Sequence, residues 1–275
     1  MVNSKPGGEA GSVRNGPPHD GNAGPSACFI LCRREEPNFE VHPNQAVEEV
    51  LGESYCIESA KFKGTNILVC RDDRLVGALS HVPAPMDPEE DLIEAASANP
   101  KWPDGREQVA KHRSLVIAAV NGEDDLSPVD CAILLTRLAV AGLQIFDGFG
   151  VFWPYADLCN PREYFEKVAT KISDGQLAIP LWIRCDLVRA PDGTLAASTR
   201  GMHQFGFAEF EVDRCSLDPQ RVMKFLWSLA QAVIVRGVVA GPARVVARCM
   251  GLRVRVMRGR SRRAPDQMVY KLALR

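Results

Sequence analysis

Three dipeptides constrain this chain more than any other feature. Ser127-Pro128, Asn160-Pro161 and Asp218-Pro219 each place a side-chain oxygen directly ahead of a proline. The oxygen can take an orphan amide of a first helical turn, and proline at the first helical position loses no internal hydrogen bond. Apolar residues then recur on one helical face. They are Cys131, Leu134, Leu135 and Leu138 in the first segment, and Phe165, Val168, Ala169 and Ile172 in the second. The third carries Val222, Phe225, Leu226, Leu229 and Val233. Glu163 stands three residues after Asn160 and completes a capping box.

Between these helices the pattern is that of strands. Ala27 to Cys32, Tyr55 to Ala60, Asn66 to Arg71 and Leu75 to Val82 are short apolar runs, and Asp72-Asp73-Arg74 is a tight connection. Further strands are expected at Leu115 to Val120, Ala178 to Val188 (with Trp182 in its core), Phe207 to Val212, Leu252 to Met257 and Met268 to Leu274. Gln45 to Leu51 and Glu89 to Ala98 read as helices, and Pro191-Asp192-Gly193 as a turn. Adjacent strand pairs mixed with helices predict an α+β fold, with antiparallel or mixed sheets and packed helices. The expected organisation is a disordered tail over 1–26, then α+β halves over 27–112 and 113–275. Alternatively, sheet pairing across that boundary would make them one continuous domain.

Formal charge is -1 over 275 residues, but it is unevenly placed. Arg248 to Arg275 holds nine basic residues and one acidic residue, a local +8 against -9 elsewhere. Nine cysteines, with no secretory signal ahead of them, sit mostly inside apolar patterns and read as buried free thiols. No apolar run reaches the roughly 20 residues that cross a bilayer. The expectation is a cytoplasmic protein with no membrane association, and leaderless secretion would leave no mark in the sequence.

The segment Thr199-Arg200-Gly201-Met202-His203-Gln204-Phe205-Gly206-Phe207-Ala208-Glu209 resembles the bacterial DUF4261 family. The resemblance takes in His112, Asn121-Gly122, the Ser127-Pro128 helix and Leu181-Trp182-Ile183 before Pro191-Asp192-Gly193. Upstream it includes Val82-Pro83-Ala84-Pro85-Met86 and Trp102-Pro103, so it spans roughly residues 27 to 247. It implies an intracellular bacterial domain with no assigned reaction, some relatives being associated with interaction or competition between bacteria. It carries over no catalytic residue.

Read from the residues, Thr199 to Glu211 is the leading candidate surface. Gly201 and Gly206 permit close approach, Met202 and Phe205 supply apolar contacts, Arg200 and His203 polar ones, and Glu209 and Glu211 share one face of an extended segment. The alternative is that the aromatics fill the core and the carboxylates face water. A hydrolase could use Ser198 and His203 or the two glutamates, but no Gly-x-Ser-x-Gly elbow surrounds the serine. His203, Glu209, Glu211 and Cys215 match no metal-ligand spacing, and neither Gly148-Phe149-Gly150 nor Gly237 to Gly241 forms a phosphate loop. No metal or cofactor is therefore expected. Arg258, Arg260, Arg262 and Arg263 could meet an acidic protein or nucleic-acid phosphates, or simply line a half-exposed strand. A non-enzymatic protein-interaction or regulatory module leads, with the hydrolase and nucleic-acid binding as alternatives.

Overall fold

The computed structural model describes residues 24–36, 41–58, 66–87, 89–121, 126–237, 244–247 and 252–274. Most of the expected tail, Cys249, the glycine stretch after Gly237 and the side chain of Arg253 lie outside the described residues. The chain runs β1 (Ala27–Cys32), α1 (Pro43–Leu51), β2 (Tyr55–Ile57), β3 (Asn66–Arg71), β4 (Arg74–Val82), α2 (Glu89–Ser97) and α3 (Gly105–Val109). It continues through β5 (Ser114–Val120), α4 (Pro128–Ile145), β6 (Gly148–Trp153), β7 (Leu158–Pro161), α5 (Arg162–Ser173) and α6 (Ile179–Trp182). It closes with β8 (Arg184–Arg189), β9 (Leu195–Arg200), β10 (Phe210–Cys215), α7 (Pro219–Arg236), β11 (Arg244–Ala247), β12 (Leu252–Arg260) and β13 (Met268–Leu274).

Two sheets result. The first has order β2-β3-β4-β5-β1-β6-β7, and all its neighbours are antiparallel. The second has order β11-β12-β13-β10-β9-β8 and is mixed, because β10 and β13 run parallel. This is an α+β fold. Strand pairing crosses residue 113 repeatedly, since β5 lies between β4 and β1, and β6 lies on the other side of β1.

The core follows from sequence pattern. β5 is an apolar run buried on both faces, as Val116, Ala118 and Val120 meet the main core while Leu115 is also buried. On one side of the first sheet, Leu92, Ala95 and Ala96 of α2 pack with Trp102, Val109 and Leu31. On the other lies α4, whose buried residues surround the helix. By length and composition α4 could cross a bilayer, yet most of it is enclosed by protein, so its hydropathy is that of a core helix. Gly142 lets α4 seat on β1, because a Cβ there would stand 2.3 Å from Ile30 Cδ1. One cluster of buried side chains runs from Cys28 in the first sheet to Leu272 in the second, with α7 contributing Val222, Phe225 and Leu226.

Two of the three helix starts form as expected. Ser127 Oγ accepts the Asp130 amide at 3.1 Å, and Asp218 Oδ1 accepts those of Gln220 and Arg221 at 2.9 and 3.2 Å. The third does not: Asn160 pairs with Val151 in the β6–β7 hairpin, Pro161 ends that strand, and α5 starts at Arg162 without a side-chain cap. Ladder pairing there overrides the local cap. Gly148-Phe149-Gly150 is strand, since its glycines admit Ile30 and the Trp102 ring against the backbone. The run Ala178 to Val188 splits, because Pro180 turns Ile179–Trp182 into a single helical turn before β8 begins. The strand expected from Phe207 begins at Phe210. The expected turns at Asp72-Asp73 and Asp192-Gly193 are present, with both Asp72 and Asp73 at positive φ.

Candidate functional site

Glu209 does not lie on a strand face turned to water. It precedes β10, and its side chain is 17% exposed. Its Oε1 accepts the amides of Gly201 and Met202, both at 2.9 Å, while Oε2 accepts the Thr199 hydroxyl at 2.8 Å. The carboxylate therefore closes the amino end of the 3-10 turn Met202–Phe205, where backbone amides are orphaned. His203, exposed on that turn, brings Nδ1 within 3.4 Å of the same carboxylate. Met202 and Phe205 are buried in the core. Gly201 has φ of +113°, and a Cβ there would stand 2.4 Å from the Trp182 carbonyl oxygen. Only glycine fits.

Glu211 is buried more deeply than Glu209. It accepts the Ser261 hydroxyl and the Arg262 amide (3.2 Å), tying the loop between β12 and β13 to the outer face of β10. Ser198 is buried in β9, in a cross-strand row between Asp186 and Glu211. His112 is buried elsewhere: its Nε2 accepts the Met86 amide at 2.8 Å, and its Nδ1 lies 2.6 Å from the Val109 carbonyl. The structure thus does not bring His112 to His203 and Glu209, and it gives Glu209 and Glu211 different partners. Among the described residues no three His, Cys, Asp or Glu side chains converge as metal ligands.

The arginines of the last hairpin divide. Arg262 Nε lies 3.3 Å from Asp213, whose other oxygen is 3.8 Å from Lys271 Nζ. Arg260 reaches the Pro265 carbonyl, and Arg258 lies exposed on β12. Arg263 instead crosses the outer face of the second sheet and donates to Asp186 Oδ2 at 3.0 Å. Arg184 Nε donates to the other oxygen of the same carboxylate at 2.6 Å, so Asp186 bridges two guanidinium groups. Arg184 also donates to the Asp157 carbonyl, and Arg200 pairs with the Asp157 carboxylate.

This cluster borders a groove of about 550 Å³, a volume typical of ligand sites. It lies between the edge strands of the two sheets, β7 and β8. Met223 and Trp227 of α7 form one wall; Asn99, Pro100 and Lys101, beyond α2, form another. Asn99 Nδ2 donates to Asn160 Oδ1 and to the Cys159 carbonyl, fixing the floor. Asn160 Nδ2 is buried with no hydrogen-bond partner among the described residues. Cys185 also lines the groove, and burial pushes its thiol upward, with the Asp186 and Glu209 carboxylates adding to the effect. A neutral thiol is a weak nucleophile.

Of the candidate site residues read from sequence, Arg200 and Arg263 reach this groove. The sequence reading missed Lys101, Asp186, Met223 and Trp227. Only the alternation of charge along Arg184-Cys185-Asp186 could have hinted at them. Compared with known proteins, the chain matches no family model, no curated protein and no solved structure.

Proposed function

We propose that the chain is a non-enzymatic protein-interaction module whose contact surface is the groove between β7 and β8. The observation that carries this reading is the distribution of polar groups. Ser198, Glu209 and Glu211 are buried or engaged in holding backbone and loops together. The adjoining groove combines partly buried apolar walls with charged rims, the composition of a recognition surface. Val188, 51% exposed, stands at its mouth.

The test is photo-crosslinking in native lysate, with the reactive residue replacing Val188 in one full-length variant and Met257 on β12 in another. One partner should couple from position 188 and not from 257. The purified partner should bind the unmodified chain and lose binding to Val188→Glu. Reciprocal binding that fails, or that is equal for both proteins, refutes the assignment. So does turnover of a substrate by homogeneous protein that disappears in both Glu209→Gln and His203→Gln.

A further inference from the structure

We infer that the groove takes an extended, acidic segment of another protein as an added strand on the free edge of β8, an inference that rests on the interaction reading above. Five consecutive residues, Arg184 to Val188, line the groove. Side chains alternate between faces of a strand, so a consecutive run can line a cavity only if the strand's edge runs along it. β8 is the last strand of its sheet, and its six residues extend about 20 Å.

Hydrogen-bond parity shows which backbone groups face outward. The Ala190 amide donates to the Thr194 carbonyl at 2.8 Å, and from that turn the ladder pairs Val188 with Ala196, Asp186 with Ser198 and Arg184 with Arg200. In an antiparallel pair the hydrogen-bonded positions alternate. Arg184, Asp186 and Val188 therefore direct amide and carbonyl into β9, while Cys185 and Leu187 direct theirs into the groove. The Ile183 carbonyl confirms the phase, since it too points outward and accepts the Trp227 indole NH at 3.0 Å. No described residue pairs with the amide or carbonyl of Cys185 or Leu187.

Such an edge is a template for strand addition, with main-chain bonds supplying affinity and flanking side chains selectivity. The flanking charge sets the occupant. Lys101, Arg184, Arg200 and Arg263 line the groove against the carboxylates of Glu94 and Asp186, and with Asp157 paired to Arg200 the cations still outnumber the anions by one. Arg184 and Arg263 share the single Asp186 carboxylate. A basic strand would meet repulsion there, whereas an acidic one finds donors beside a half-buried apolar wall of Met223 and Trp227.

The probes are three end-blocked hexapeptides in which valine alternates with glutamate, glutamine or lysine, titrated into the ¹⁵N-labelled full chain. The glutamate peptide should move the Cys185 and Leu187 amide signals and bind at least about tenfold more tightly than the lysine peptide. Leu187→Pro removes an outward amide without touching the β9 ladder, which edge strands tolerate. It should weaken binding about tenfold, the worth of one good hydrogen bond, with the circular dichroism spectrum unchanged. If Leu187→Pro misfolds, a glutamate peptide N-methylated at alternate residues serves instead, one of its two registers losing binding. Equal affinity for acidic and basic peptides overturns the inference, as does binding that leaves Cys185 and Leu187 unmoved. A concentration-dependent dimer that protects those two amides also overturns it, by making a second copy the occupant. If the crosslinked partner binds Leu187→Pro as well as the parent chain, strand addition fails while the interaction reading stands. Loss of reciprocal binding altogether removes both.

Discussion

At the scale of single residues, the segment that looks most like a reaction centre is a fastening. Glu209 binds two amides and a hydroxyl at 2.8–2.9 Å, and charge-assisted bonds of this kind are the strong ones. Glu209→Gln keeps the shape but loses the charge and one acceptor. The expected cost is about 1–3 kcal/mol, read as a lower urea midpoint at unchanged slope; an unaltered midpoint would show that the carboxylate is not structural. The thiols give a second prediction. Burial drives the Cys28 and Cys159 thiols far up, and Cys32 to about 12, with Asp147 adding and the Ser114 hydroxyl opposing. A group raised in the fold binds its proton more tightly there than in the unfolded chain. Its contribution is complete below the unfolded value of about 8.5 and is lost as pH climbs toward the folded values. Thermal midpoints should therefore fall above that pH, and fall less steeply in Cys28→Ala. Cys56, exposed on β2, should alkylate ahead of Cys28 and Cys159 in the native state, which peptide mapping after brief iodoacetamide treatment will show.

At the scale of elements, cap chemistry and ladder pairing decide the outcome between them. Asp218→Ala removes the acceptor of two amides at the start of α7 and should cost about 1 kcal/mol in a denaturation series. Asn160→Ala, at the analogous Asn-Pro dipeptide, should leave α5 helicity intact, because no cap exists there to lose. The contrast shows what was legible in the sequence. Caps at Ser127 and Asp218, turns at Asp72 and Asp192, and the apolar faces of α4, α5 and α7 depend on residues a few positions apart. The strand at Gly148 depends on Ile30 and Trp102 filling the space its glycines leave, which no local pattern records. Pro180 was a local sign that Ala178 to Val188 would break, overshadowed by the apolar run around it. The groove was legible only as scattered cations. Arg263 and Asp186 are 77 residues apart in sequence, and the free edge of β8 exists only because the whole sheet order places that strand last.

At the scale of the molecule, the question is how two sheets hold together as one core. The Gln204 side chain sits at the joint. Its Oε1 accepts the Trp153 indole NH of β6 at 2.9 Å, and its Nε2 donates to the carbonyls of Trp182 and Gly201 at 2.9 and 2.7 Å. The Trp182 indole NH in turn donates to Thr136 Oγ1 of α4 at 2.9 Å. Trp153, Trp182 and Gln204 are buried, so water cannot replace a lost partner. Gln204→Leu fills the same space but orphans an indole donor and two acceptors, and should cost about 3 kcal/mol. Because apolar contacts also run continuously from Cys28 to Leu272, the parent chain should lose tryptophan emission and far-ultraviolet dichroism at one denaturant midpoint. The two probes should stay coincident in Gln204→Leu, only shifted lower, since the substitution weakens the joint without dividing the apolar core. Separate midpoints in the parent chain would mean that the sheets unfold as independent units. Separation in the variant alone would mean that the amide, rather than the apolar contact, is what makes them cooperate.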